Sequence, residues 1–255
     1  MKSTIHTHQK NNLKLVSKTN FKNIGLLFLA TIALVSCNND DDTTITPATA
    51  AEFAAVRKEA LDAKTQNFTM TAGTGVITLT SAKGVKININ GDCLTKAGNP
   101  VTGTVNIEFV ELFDKGNMLI TNKPTMGIMG DGNRNLLISG GEFFIKATQG
   151  GVELATTCNI NLTVPASLTD GVDPAMILWN GILDDNGDLA WNNARDAAGT
   201  NGGKGGVQAE GNNYYVSFGN FGWTNVDKFY SDPRPRTTIL ADAPDGRSEE
   251  RRVGK

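Results

Sequence analysis

Residues 84–111 read GVKININGDCLTKAGNPVTGTVNIEFVE, and the reading of this stretch decides the fold. Val85, Ile87 and Ile89 alternate with Lys86, Asn88 and Asn90; further on, Val101, Val105, Ile107 and Phe109 are interleaved with Thr102, Thr104, Asn106 and Glu108. Successive side chains of a strand point to opposite faces, so a period of two marks strands with one face buried and the other wet. Ala97-Gly98-Asn99-Pro100 separates the two runs, and such residues meet the dihedral demands of a turn.

The same period extends outward on both sides. Ile77 and Leu79 alternate with Thr78 and Thr80, and the runs Phe143-Ile145-Ala147 and Ile160-Leu162-Val164 follow, the last closed by Pro165. Gly73-Thr74-Gly75, Lys83-Gly84, Asp131-Gly132-Asn133 and Gly150-Gly151 supply the turns, and Lys115-Gly116-Asn117 is expected to be another. No ten-residue helical pattern separates these strands, which predicts an all-β, antiparallel β-sandwich over residues 67–166 rather than an α/β sheet. Ahead of it, over 49–66, Thr49-Ala50-Ala51-Glu52 has the form of a capping box, and Phe53, Val56, Ala60 and Ala63 follow at helical spacing. One short N-terminal helix packing that stripe on the sheet is expected.

Residues 167–246 predict a smaller second β unit. Met176–Trp179, Ile182-Leu183 and Leu189–Trp191 are its apolar runs, and Tyr214, Val216 and Phe218 alternate. Residues 192–211 are glycine-rich with little to bury and read as an exposed loop. Phe221, Trp223, Phe229 and Tyr230 form an aromatic cluster that either caps a second core or presents Phe221, Trp223 and Tyr230 to a ligand.

The N-terminal end has a different logic. Residues 1–36 hold five lysines and no acid, and the apolar run Ile24–Val35 precedes Ser36-Cys37. A basic segment, a short apolar core and a small-residue end form a secretion signal, too short for a comfortable membrane span. Leu34-Val35-Ser36-Cys37 resembles a bacterial lipobox, which implies cleavage before Cys37 and acylation of that cysteine with palmitate-class chains. Residues 37–48 open with Asn38-Asn39-Asp40-Asp41-Asp42 and read as a polar tether. An acidic cluster directly behind the lipidated cysteine resembles the surface-export signal of Bacteroidota lipoproteins. The expected place is therefore the outer membrane, lipid-anchored at the cell surface, with its periplasmic face as the alternative. Residues 247–255, RSEERRVGK, change composition abruptly and resemble translated adapter sequence behind a truncated frame, a genuine polar tail being the alternative.

Charge and composition remove many function classes. The full chain has a net charge of −2, but without residues 1–36 it carries 19 basic against 26 acidic side chains, near −7. An acidic body is repelled by phosphate backbones, so no nucleic-acid partner is expected. The two histidines, His6 and His8, both precede the apolar run, leaving no imidazole for a Ser-His-Asp or Cys-His arrangement or for a histidine-based metal centre. Strand parity points Cys93 and Cys158 inward, as either a disulfide or two buried thiols. Carboxylates are the remaining catalytic material, yet Glu108 and Glu111 have opposite parity, and Asp114 and Glu142 are unplaced by spacing. Asp184, Asn186 and Asp188 imitate the start of a calcium loop, but Leu189 stands where its glycine belongs, so a hairpin turn is the better reading. No catalytic residue, metal or cofactor is expected.

Residues 84–111, together with ELFDKGNML (111–119), TNKPTM (121–126) and SGGEFFIKAT (139–148), resemble the core of uncharacterised Bacteroidota surface lipoproteins, and their arrangement is similar to ZU5-type β-sandwich modules. The segment Trp223-Thr224-Asn225-Val226-Asp227 resembles one that recurs in the same lipoproteins. Asn90-Gly91-Asp92-Cys93 departs from the ZU5 pattern, which usually carries a proline-containing strand end there. The resemblance implies an interaction or linking unit with no catalytic residues to carry over. The expected function is a non-enzymatic surface binding or assembly module, with membrane lipid as partner through Cys37 and a glycan or another envelope protein as the second. A carbohydrate-active enzyme using acidic residues and a structural stalk for a downstream domain are the alternatives.

Overall fold

The computed structural model describes residues 48–184, 188–194 and 205–231. The signal, Cys37, most of the tether and the polar tail lie outside the described residues, as do the centre of the Asp184–Asp188 turn and the middle of the glycine-rich stretch.

In chain order the elements are α1 (Ala50–Asp62), β1 (Gln66–Ala72), β2 (Val76–Thr80), β3 (Lys86–Asn90), β4 (Leu94–Lys96), β5 (Asn99–Pro100), β6 (Gly103–Leu112) and α2 (Lys115–Ile120). There follow β7 (Met126–Ile128), β8 (Arg134–Gln149), β9 (Val152–Glu153), β10 (Ala155–Thr156), β11 (Ile160–Pro165), β12 (Ile177–Leu183), β13 (Leu189–Asn193), β14 (Gly206–Glu210), β15 (Asn213–Phe218) and β16 (Gly222–Phe229). The fold is all-β, as the alternation predicts.

A large sheet runs β1-β6-β8-β16-β12-β13-β7, with β9 on β8, and a five-stranded sheet runs β14-β15-β11-β3-β2. Their inner faces meet in one core. Ile107 and Phe109 of β6 and Phe143 and Ile145 of β8 come from one side, Ile87 of β3, Leu162 of β11 and Tyr214 of β15 from the other. Each of these belongs to a period-two run, so the buried parity read from the sequence is the parity that packs.

The expected boundary at 166/167 does not divide this body. Strands β12, β13 and β16 extend the large sheet, while β14 and β15 extend the five-stranded one. The second core is real, but it is built on shared strands. β7 pairs with β8 and also with β13, so β8, β16, β12, β13 and β7 form a closed ring. Trp179, Leu189, Trp191 and Trp223 pack inside it, together with Leu137 of β8. The long β8 serves both cores, because its sixteen residues reach from the sandwich into the ring.

Three local expectations are corrected. Helix α1 has its capping box, with Thr49 and Glu52 bonded reciprocally at 3.2 and 2.7 Å, but it buries no residue. Phe53 and Val56 stay half exposed, and Leu61, near the C-terminal end of the helix and outside that stripe, packs on the ring core. Lys115-Gly116-Asn117 is not a bare turn but the start of α2, capped by the Asp114 carboxylate accepting from the Asn117 amide. Gly206–Glu210, expected in a loop, pairs along β15 as an edge strand, since Val207 and Ala209 find partners there.

Candidate functional site

The site grows out of a defect in the large sheet. Asn225 of β16 pairs with Glu142 of β8, and Asp227 pairs with Ser139, so three steps along β8 match two along β16. This is a β-bulge, and bulges re-aim side chains. Gly140 and Gly141 make it feasible. A Cβ on Gly140 would stand 2.9 Å from the Val226 carbonyl oxygen, and Gly141 sits at φ +127° with its would-be Cβ 2.7 Å from the Phe113 ring. Directly paired residues share a face, so Glu142, Asn225, Asp227 and Ser139 all look into the ring. Trp179, paired with Asn225, stands beside them and donates its indole N–H to the Asp227 carbonyl at 2.9 Å.

Glu142, Asn225 and Asp227 are 0% exposed. Asn225 donates Nδ2–H to Asp227 Oδ2 at 2.6 Å and accepts on Oδ1 from Ser139 Oγ at 3.3 Å. Both Glu142 oxygens and Asp227 Oδ1 have no hydrogen-bond partner among the described residues. Burial pushes the Glu142 carboxyl well above the ordinary carboxylate range, and the neighbouring Asp227 adds to the shift while Lys123 opposes it. Burial likewise raises Asp227, while the nearby donors of Ser139, Asn225 and the Gly140 amide, of which Asn225 bonds Oδ2, hold it down. Lys123, 7% exposed, follows α2 and holds its ammonium 5.4 Å from the Trp223 ring centroid. Burial lowers its pKa; Glu142 and Asp188 pull it back up and Arg57 lowers it further.

Cys93 and Cys158 form a disulfide with Cα atoms 5.6 Å apart, and both cysteines are half-buried rather than in the core. Their parity is lost because Cys93 sits in a single 3₁₀ turn, Gly91–Cys93, where the alternation of the preceding strand stops. Trp223 is 8% exposed inside the ring, Phe221 packs on the sandwich core at the opposite face of the large sheet, and Tyr230 lies at the rim. The three therefore form no single exposed patch, because burial of the two sheet faces separates them. Glu108 is paired with Lys146 at 3.3 Å on a wet face. Glu111 is buried and accepts from Ser81 Oγ at 2.7 Å, Gln66 Nε2 at 3.0 Å and the Lys83 amide at 3.1 Å, a latch between strands and turn. Asp184 and Asp188 close a hairpin turn, with Asp184 Oδ1 accepting from the Asp188 amide at 2.9 Å.

Spacing alone missed the Glu142–Asn225–Asp227 constellation. Its legible signal is an acid set among glycines and phenylalanines in Gly140-Gly141-Glu142-Phe143-Phe144, where a wet strand face would show polar alternation. Glycoside hydrolysis needs one protonated carboxyl to donate to the leaving oxygen and a second, ionised one to act as base or nucleophile, and here burial raises both. With both at zero exposure, a glycosidic oxygen has no approach to them in this conformation.

A second feature is the outer face of the five-stranded sheet, which no element covers among the described residues. Register places Thr80, Lys86, Thr163, Tyr215 and Gln208 in one row across it, with Thr78, Asn88, Asn161 and Ser217 in the next. Tyr215 is 43% exposed in the middle of this hydroxyl- and amide-rich surface. Among known proteins, no family model, curated protein or solved structure matches this chain.

Proposed function

We propose that the protein is a non-enzymatic, lipid-anchored envelope protein, held at the outer membrane by acylated Cys37 and acting at the cell surface as a binding or assembly module. The observation that carries the reading is the Cys93–Cys158 disulfide. Such bonds persist outside the reducing cytoplasm, and this one stands in a chain whose first 37 residues have the form of a lipoprotein signal. The uncovered Tyr215 face supports a binding role, because flat arrays of hydroxyls and amides around an aromatic ring suit polar partners such as a glycan or an envelope protein. The acidic-residue enzyme alternative rests on Glu142 and Asp227, whose burial argues for an internal role.

Protease shaving of intact cells, followed by mass spectrometry of the membrane-extracted protein, tests this reading. The expected result is release of fragments from residues 48–231 by external protease and an N-terminal peptide beginning at acylated Cys37. A full-length, unacylated chain in the soluble fraction would overturn it.

A further inference from the structure

We propose that Glu142, Asp227, Asn225 and Ser139 form a site for one hard divalent cation of the calcium class inside the β7–β8–β16–β12–β13 ring. The bulge places the four side chains on one face at adjacent register positions. Three carboxylate oxygens there, both of Glu142 and Oδ1 of Asp227, are buried without partners. Buried polar groups are almost always satisfied, and an acceptor left unpaired is costly, so three in one nest call for a positively charged occupant.

The donors define its class. They are carboxylate, amide and hydroxyl oxygens, with neither imidazole nor thiolate, which selects the hard cations over zinc or copper. Calcium accepts a bidentate glutamate and irregular oxygen sets, whereas magnesium demands near-ideal octahedra and keeps several waters, and this position is closed to solvent. Lys123 does not already fill the role. Its ammonium makes no ion pair with either carboxylate among the described residues, stands over the Trp223 ring, and divides its electrostatic pull between Glu142 and Asp188. The rival occupants are protons, one on each carboxyl, which would supply two donors among the three unpaired oxygens.

The test uses the full chain stripped with EDTA, followed by thermal unfolding in millimolar CaCl2 or MgCl2 and by terbium titration with indole excitation. Trp179 donates to the Asp227 carbonyl at 2.9 Å, so a terbium ion bound here would receive energy from that indole. Calcium should raise Tm by about 3 °C or more with magnesium much weaker. Terbium should give indole-sensitised emission that saturates at one ion per chain and is displaced by calcium. Glu142→Gln should weaken terbium binding by roughly tenfold or more, and Glu153→Gln, at an exposed acid, should leave it unchanged. Should Glu142→Gln not fold, the wild-type stoichiometry and calcium displacement decide the matter. The proposal is overturned by absence of sensitised emission and of any calcium shift in the wild type, or by an equal calcium shift in folded Glu142→Gln. A chain stabilised by acid alone, with no response to either ion, assigns the nest to protons and overturns it as well.

Discussion

Removal of the Cys93–Cys158 bond should cost stability mainly through the unfolded chain. The two cysteines are 65 residues apart, and the loop they close carries β6, α2, β7, β8 and the bulge glycines. Chain-entropy arithmetic for a loop of that length gives about 4 kcal/mol at 25 °C. Because both cysteines are half-buried rather than in the core, serine replacement adds little cavity cost. For a described body on the order of 180 residues, unfolding entropy converts this into a Tm loss of about 10 °C. Calorimetry on a Cys37→Ser background, with and without dithiothreitol, measures it. The double variant Cys93→Ser/Cys158→Ser should melt near the reduced protein and ignore the reductant. Thiol titration in denaturant without reductant should find no free thiol in the Cys37→Ser chain. Two titratable thiols, or a Tm that reductant moves by less than about 2 °C, would refute the reasoning.

The Glu111 latch should show the cost of stranding buried partners: Glu111→Ala leaves Ser81 and Gln66 without their acceptor and should lose about 2–4 kcal/mol in urea unfolding. Glu142 and Asp227 are both raised in the folded state by burial, so the fold binds their protons more tightly than the unfolded chain. In EDTA, their contribution to stability is therefore greatest below the ordinary carboxyl pKa near 4 and is lost as pH climbs through the raised values. Glu142→Gln should flatten that slope and stabilise the cation-free protein at neutral pH by about 1–3 kcal/mol, read from denaturant midpoints across pH. Gly141→Ala must place a Cβ against the Phe113 and Phe143 rings at φ +127°, and should cost about 3 kcal/mol or more, visible as a collapsed soluble yield or lowered Tm.

Most of the fold was legible because period-two alternation is a local property. The parity of Ile87, Ile107, Phe143, Leu162 and Val216 marks the sandwich core without knowledge of any partner strand. The same rule failed wherever alternation ended. Cys93 left its strand in a 3₁₀ turn, and Asp114 to Ile120 closed into a capped helix. Helix α1 shows a different limit, since its apolar spacing predicts a buried stripe, and only tertiary placement decides whether anything lies against Phe53 and Val56.

The nest at Glu142 was out of reach of spacing for a related reason. Glu142 and Asp227 are 85 residues apart in sequence, and they meet only because β8 and β16 pair across a bulge. Sequence by itself determined the strand class, the inward parities, the absence of histidine beyond His8 and the signal-like start. Tertiary structure decided which strands share two cores, that the cysteines bond, and that a ring closes over two acids. The physical reason is that side-chain direction along a strand follows from neighbouring residues, whereas register, bulges and ring closure are set by contacts between segments far apart in the chain.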